Sequence, residues 1–205
     1  MAEAAAMGTA PDGRPMVQPA DRPAWRAWLV ANHVASRGVW LATFRPSVGR
    51  QTVDYEAAVE EGLCVGWIDS KAKRLDEGRT LLWFSPRSPR SAWSGSNKAR
   101  VARLDAAGLM LPAGRAAVEE AKRRGTWTML DDVEALVVPP DLAAALDARP
   151  PARANWDGFS PSDRRALLAW IVQAKRTETR AARVAETAAR AARNKAHEPR
   201  GGAAD

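Results

Sequence analysis

The chain has 205 residues, a formal net charge of +7 at pH 7, and 46% hydrophobic residues including nine tryptophans. That length suits one compact domain with an appendage or two small ones, and a single cysteine excludes an intrachain disulfide and a multi-cysteine zinc site. No run approaches ~18 apolar residues, which excludes a membrane-spanning helix, while the charge admits nucleic acid, anionic lipid or acidic ligands without selecting among them.

Residues 1–20 are small, polar and proline-rich, and are expected to be disordered. They hold no apolar run for an export signal, so the cytoplasm is the expected location. Asp21-Arg22-Pro23 gives an N-cap with proline in the first turn. Trp25, Trp28 and Leu29 follow at helical spacing. Gly38 permits a turn, and residues 39–44 read as a strand ended by Pro46 and Gly49. Asp54 caps a helix through Leu63, with Glu56 in its first turn. Residues 64–69 read as a second strand; Gly66 inside it suggests close approach of another backbone or a ligand, or a bulge. A charged turn over 75–79 leads to a third strand over 80–85, antiparallel to the second. Helices follow, from Ser94 or Ser96 to Ala107 and over 114–124, each closed by a glycine. A short helix is expected over 141–146 and a linker at Pro150-Pro151. A helix starting at Ser160-Pro161 carries Leu167, Leu168, Trp170 and Ile171, and an Ala- and Arg-rich helix spans about 178–193. The pattern is α+β: a small antiparallel sheet packed with helices, then a mostly helical C-terminal half. It divides into a disordered tail at 1–20, an α+β domain at 21–130, a helical region at 131–195 and a second tail at 196–205.

The positive charge concentrates in two stretches, 64–103 and 160–205. Within the first, Pro86-Arg87-Ser88-Pro89-Arg90-Ser91-Ala92-Trp93-Ser94 combines a stiffened loop, two arginine forks suited to carboxylate or phosphate, serines before a helix N-terminus that attracts anions, and a stacking face on Trp93. The same arginines can instead pair with nearby acids. The ligand-binding candidates are Trp67, Asp69, Arg87, Arg90, Ser91, Trp93, Ser94, Asn97 and Lys98. Asp69 at a strand end can act as a general base or pair with Lys71 or Arg87. Cys64 would need a base or a positive field to be a nucleophile. The chain's histidines are His33 and His197, so a buried inert thiol is the better reading. These residues make no metal cluster. No phosphate-binding glycine loop, dinucleotide fingerprint or nucleophile elbow occurs, and no cofactor is expected. In the last helix Arg176, Arg180, Arg183 and Arg190 share a broad face. It can meet nucleic-acid phosphates or be a solvated face with Glu186–Arg190 support.

Several segments resemble the YdeI/OmpD-associated family, also called bacteriocin-protection proteins. They are Glu61-Gly62-Leu63-Cys64-Val65-Gly66-Trp67-Ile68-Asp69-Ser70, Phe84-Ser85-Pro86-Arg87 and Ser91-Ala92-Trp93-Ser94-Gly95-Ser96-Asn97-Lys98. Gly108-Leu109-Met110, Gly125-Thr126-Trp127, Pro139-Pro140-Asp141-Leu142, Ala174-Lys175 and Glu178-Thr179-Arg180 extend the likeness over residues 21–195. Val65 stands where the family usually has Phe, and Ser70 where it has Gly. The family is linked by name to protection against bacteriocins or cationic peptides and to a porin, and it carries no settled catalytic role. Direct neutralisation of cationic peptides fits poorly with a chain of charge +7.

The leading reading is therefore a cytoplasmic, non-catalytic stress or antimicrobial-peptide resistance protein. It would bind an anionic or aromatic ligand, or a protein partner, at the 64–98 surface. The alternatives are nucleic-acid binding through basic patches at 71–103 and 175–195, and an enzyme using Asp69, Arg87 and Cys64.

Overall fold

The computed structural model describes residues 6–196. The tail expected at 196–205, with His197, falls almost entirely outside the described residues, as do residues 1–5. The chain divides into two compact units, Met1–Trp127 and Thr128–Asp205.

The first unit is a five-stranded mixed sheet with helices on one face. Its strands are β1 (Ala6–Thr9), β2 (Pro15–Gln18), β3 (Val39–Phe44), β4 (Trp67–Arg74) and β5 (Arg79–Pro86), in the spatial order β1-β2-β3-β5-β4. Its helices are α1 (Arg22–Asn32), α2 (Tyr55–Cys64), α3 (Gly95–Ala106) and α4 (Pro112–Arg123). The sequence patterning anticipates β3, the β4–β5 hairpin and all four helices.

The N-terminal segment departs from expectation. Residues 6–18 are not a disordered tail but form the β1–β2 hairpin, turning at Pro11-Asp12-Gly13, a sequence suited to a tight turn. Val17 is fully buried and Ala10 nearly so. Asp12 fixes the turn by accepting from Trp40 Nε1 at 3.0 Å and from Lys73 Nζ at 2.8 Å. β2 then runs parallel to β3, because α1 carries the chain back across between them. The sheet is thus mixed rather than purely antiparallel.

A second departure sits at Cys64. The strand expected from residue 64 starts at Trp67, and Cys64 is the last residue of α2. A short apolar run satisfies helix and strand periods alike, and the helix wins by continuing to its glycine stop. Gly66 has φ +77°, the left-handed conformation of a residue just past a helix end. A Cβ there would meet the Ala113 carbonyl oxygen at 3.0 Å, so the close backbone is that of α4.

α2 is the central helix. Every residue from Ala57 to Cys64 is buried, Glu60 and Glu61 included. Trp25 and Leu29 of α1 pack against it, and Trp25 Nε1 donates to the Ala58 carbonyl at 3.1 Å. The Glu61 carboxylate is held by Arg22 and Arg26, each at 2.6 Å. Trp67, Phe84 and Leu41 complete the core from the sheet side.

The second unit comprises α5 (Asp131–Glu134), α6 (Pro140–Asp147), α7 (Ala152–Gly158), α8 (Pro161–Val172) and α9 (Thr177–Ala192). Leu142, Leu146, Trp156 and Ile171 form its core, and Ala188 and Ala191 let α9 approach closely. The linker expected at Pro150-Pro151 joins α6 to α7 inside this unit. α5 and α7 escape sequence patterning because each is too short to show a period.

Candidate functional site

Arg87 follows the last pairing of β5 and is the focus of the signature segment. Its backbone N–H donates to the Gly66 carbonyl at 2.9 Å, which fixes where the side chain starts. The guanidinium lies over the Trp93 ring, 3.8 Å from its centroid, and Nη2 donates to the Ala92 carbonyl at 2.9 Å. Nε is buried and has no hydrogen-bond partner. Burial pushes the Arg87 pKa down to about 10, partly opposed by the charge of Asp69. A guanidinium stacked on an indole keeps its in-plane N–H edge for a fork contact with an anion.

Asp69 stands on β4 opposite Phe84, on the sheet face that carries α2. Its Oδ2 accepts from the Tyr55 hydroxyl at 3.1 Å. Burial and the neighbouring Asp69 charge push the Tyr55 pKa up, so this hydroxyl keeps its proton. Asp69 and Arg87 sense each other electrostatically, yet no ion pair between them closes within 4.0 Å.

The N-terminus of α3 lies on the same side of α2. Ser94 is its N-cap and accepts the Asn97 N–H at 3.3 Å, so the serine hydroxyl satisfies a first-turn donor that an anion would otherwise meet. Arg100 grips Glu56 through two bonds of 2.8 and 2.6 Å and donates to Asn97 Oδ1 at 2.8 Å. Tyr55, Glu56 and Arg100 belong to this polar cluster, though sequence reasoning did not single them out as ligand contacts. Tyr55 is the chain's one tyrosine, which is the signal that marks it.

The remaining candidates separate. Trp67 is fully buried, donates to the His33 carbonyl at 3.3 Å and packs edge-on against Trp28, so it is a core residue. Trp93 is buried as well, and its ring packs at a tilt against Trp127, centroids 5.0 Å apart. Arg90 is exposed on the loop, and Ser91 donates its N–H to the Ser88 carbonyl at 2.9 Å. Lys98 reaches toward the Trp127 ring, 5.8 Å away. Cys64 is buried, and desolvation pushes its thiol pKa up, the opposite of what activates a nucleophile. Among the described residues, no group of three or more His, Cys, Asp and Glu is placed to share a metal ion, and no helix is long and apolar enough to cross a membrane.

In the second unit the arginines of α9 are largely engaged. Arg180 binds Asp141 at 2.7 and 3.0 Å. Arg183 and Arg190 lie over the Trp170 ring at 5.1 and 5.5 Å, and Arg183 also donates to the Trp170 carbonyl. Arg176, the N-cap residue, is exposed.

Comparison with known families falls along the same division. Residues 17–117 match the family model of a domain of unknown function, DUF8412. Residues 135–194 match the model described as Bacteriocin-protection, YdeI or OmpD-Associated. The likeness read over 21–195 therefore holds for the helical unit, whereas the 61–98 signature lies under the other model. No curated protein and no solved structure gives a significant match.

Proposed function

We propose that the first unit binds a small carboxylate or phosphate anion at Arg87, and that the chain serves a cytoplasmic stress or resistance role rather than catalysing a reaction. The observation that carries this is the state of Arg87, a stacked cation with a buried Nε–H that has no partner. A desolvated charge without a counter-charge is costly, and a ligand anion would supply the missing one. The resistance role draws support from the bacteriocin-protection likeness of residues 135–194.

Inorganic phosphate and benzoate are suitable probes, read through tryptophan fluorescence and calorimetry. Arg87→Ala is expected to weaken binding ten- to a hundredfold, the loss of a charge-assisted contact worth ~1.5–3 kcal/mol, while the protein stays folded. Unchanged affinity in a folded Arg87→Ala variant would reject the site.

The pH dependence has a defined sign. Below about pH 10 Arg87 is charged and competent to bind. Above that value the folded protein loses the proton first, so affinity for benzoate, which stays ionised throughout, should fall as pH rises past about 10, with a flat profile from neutrality up to pH 9. Because the folded pKa lies below the ordinary arginine value, the same deprotonation slightly favours the folded state between about 10 and that ordinary value. Arg87's own contributions to binding and to stability therefore move in opposite directions there, read as the difference between wild type and Arg87→Ala by calorimetry and by denaturant unfolding.

A further inference from the structure

A one-residue bulge determines what the sheet carries on the face away from α1 and α2. β4 pairs with β5 through Asp69↔Phe84 and then Lys71↔Trp83, so Ser70 is passed over. Side chains along a strand alternate faces, and a single-residue slip exchanges them. Without the bulge, Lys71 and Lys73 would point to the helix-covered face with Phe84. With it, they stand beside Trp83 and Leu81 on the opposite face. Met16, Trp40, Trp83 and Lys71 then form one row across four strands.

Cations interleave with the aromatic rings of this row. Lys73 Nζ lies 4.3 Å from the Trp40 ring centroid, and the Arg14 guanidinium 4.9 Å from that of Trp83. A hollow of about 480 Å³ is lined by Asp12, Arg14, Trp40, Lys71 and Lys73, together with Ala72. Its one carboxylate, Asp12, already bonds Lys73 and Trp40. Lys71 is exposed and Trp83 partly so.

We infer that this sheet face binds single-stranded nucleic acid, with phosphates at Arg14, Lys71 and Lys73 and a base stacked on the Arg14 guanidinium where it covers Trp83. Trp40 is buried beneath Lys73, so the accessible aromatic is the partly exposed Trp83, and one such ring flanked by cations suits a single strand, whose bases are unstacked and offer their faces. Duplex readout instead needs an element that protrudes into a groove. The site is separate from Arg87 and does not rest on the proposal made there.

The test is fluorescence anisotropy with a labelled oligothymidylate of ~10 nucleotides, within the usual site size of such surfaces, and the full chain. Binding is expected at ~50 mM salt, with a log–log salt slope of about −2 for three phosphate contacts on a single strand. Lys71→Glu should weaken binding tenfold or more, and Trp83→Leu roughly tenfold. Arg123→Glu makes the same change of charge on exposed α4 and should alter affinity less than twofold. Arg87→Ala should leave oligonucleotide binding unchanged. If Trp83→Leu fails to fold, the exposed Lys71→Glu decides alone. Absence of binding at ~50 mM salt, or equal losses in Lys71→Glu and Arg123→Glu, would overturn the inference. So would a mononucleotide that binds as tightly as the oligonucleotide, since it would place a single nucleotide there rather than a strand.

Discussion

Gly114→Ala should cost the first unit about 3 kcal/mol, a large share of the stability of a domain this size. Gly114 lies in the first turn of α4, where that helix crosses the end of α2. A Cβ at this position would sit 2.4 Å from the Cys64 carbonyl oxygen and 2.7 Å from that of Leu63. Both are backbone atoms of the central helix and cannot rotate away. The same carbonyl of Cys64 accepts the Leu111 N–H at 2.9 Å, so α4 is hydrogen-bonded to α2 at the point of closest approach. Relief requires the two helices to part, which breaks that bond and opens the contact around Val118 and Met110. Denaturant unfolding followed by tryptophan fluorescence measures the loss. A change under 1 kcal/mol would mean that the helices separate easily and that the packing described for α4 is wrong.

Glu61→Ala should destabilise the same unit by about 2–3 kcal/mol. Glu61 is 3% exposed and bonded to both Arg22 and Arg26. Breaking a buried pair generally costs ~3–5 kcal/mol because the partner charge is stranded. Here the arginines are 30–40% exposed at their side chains and Arg22 also reaches Glu60 at 2.9 Å, so the cost is smaller. Glu61→Gln keeps one acceptor and should lose about half as much. Equilibrium unfolding of both variants, at low and at high salt, checks this. Buried charges are weakly screened, so the loss caused by Glu61→Ala should change little with salt. A loss below 1 kcal/mol would put the cluster in the class of surface ion pairs.

These two residues also mark how far a sequence can be read. Glu61 stands at the head of the signature segment, yet its partners lie 39 and 35 residues away, and no local pattern predicts such a pairing. Gly114 looks like an ordinary helix-start glycine until α2 is placed against it. By contrast, Asp21, Asp54 and Ser94 announce their helices because a cap is a local interaction, and each accepts an N–H of the first turn. The β1–β2 hairpin was obscured by composition: alanine, proline and glycine dominate residues 1–20, and only Pro11-Asp12-Gly13 and the pair Met16-Val17 betray it. Arg87 and Trp93 were legible as a corner, since their loop is short. Which arginine of that loop is stacked was not legible, because Arg87 and Arg90 share the same local chemistry and differ in what the fold puts beneath them.

The Arg87 site can be tested at the atom that defines it. A proton–nitrogen NMR spectrum of the arginine side chains, assigned with Arg87→Lys, should contain a slowly exchanging Nε–H from Arg87, because that atom is buried without an acceptor. On titration with inorganic phosphate or benzoate the resonance should shift and saturate, as the anion binds the accessible part of the same guanidinium. A resonance absent through rapid exchange with water, or one that does not move with either anion, would contradict the account.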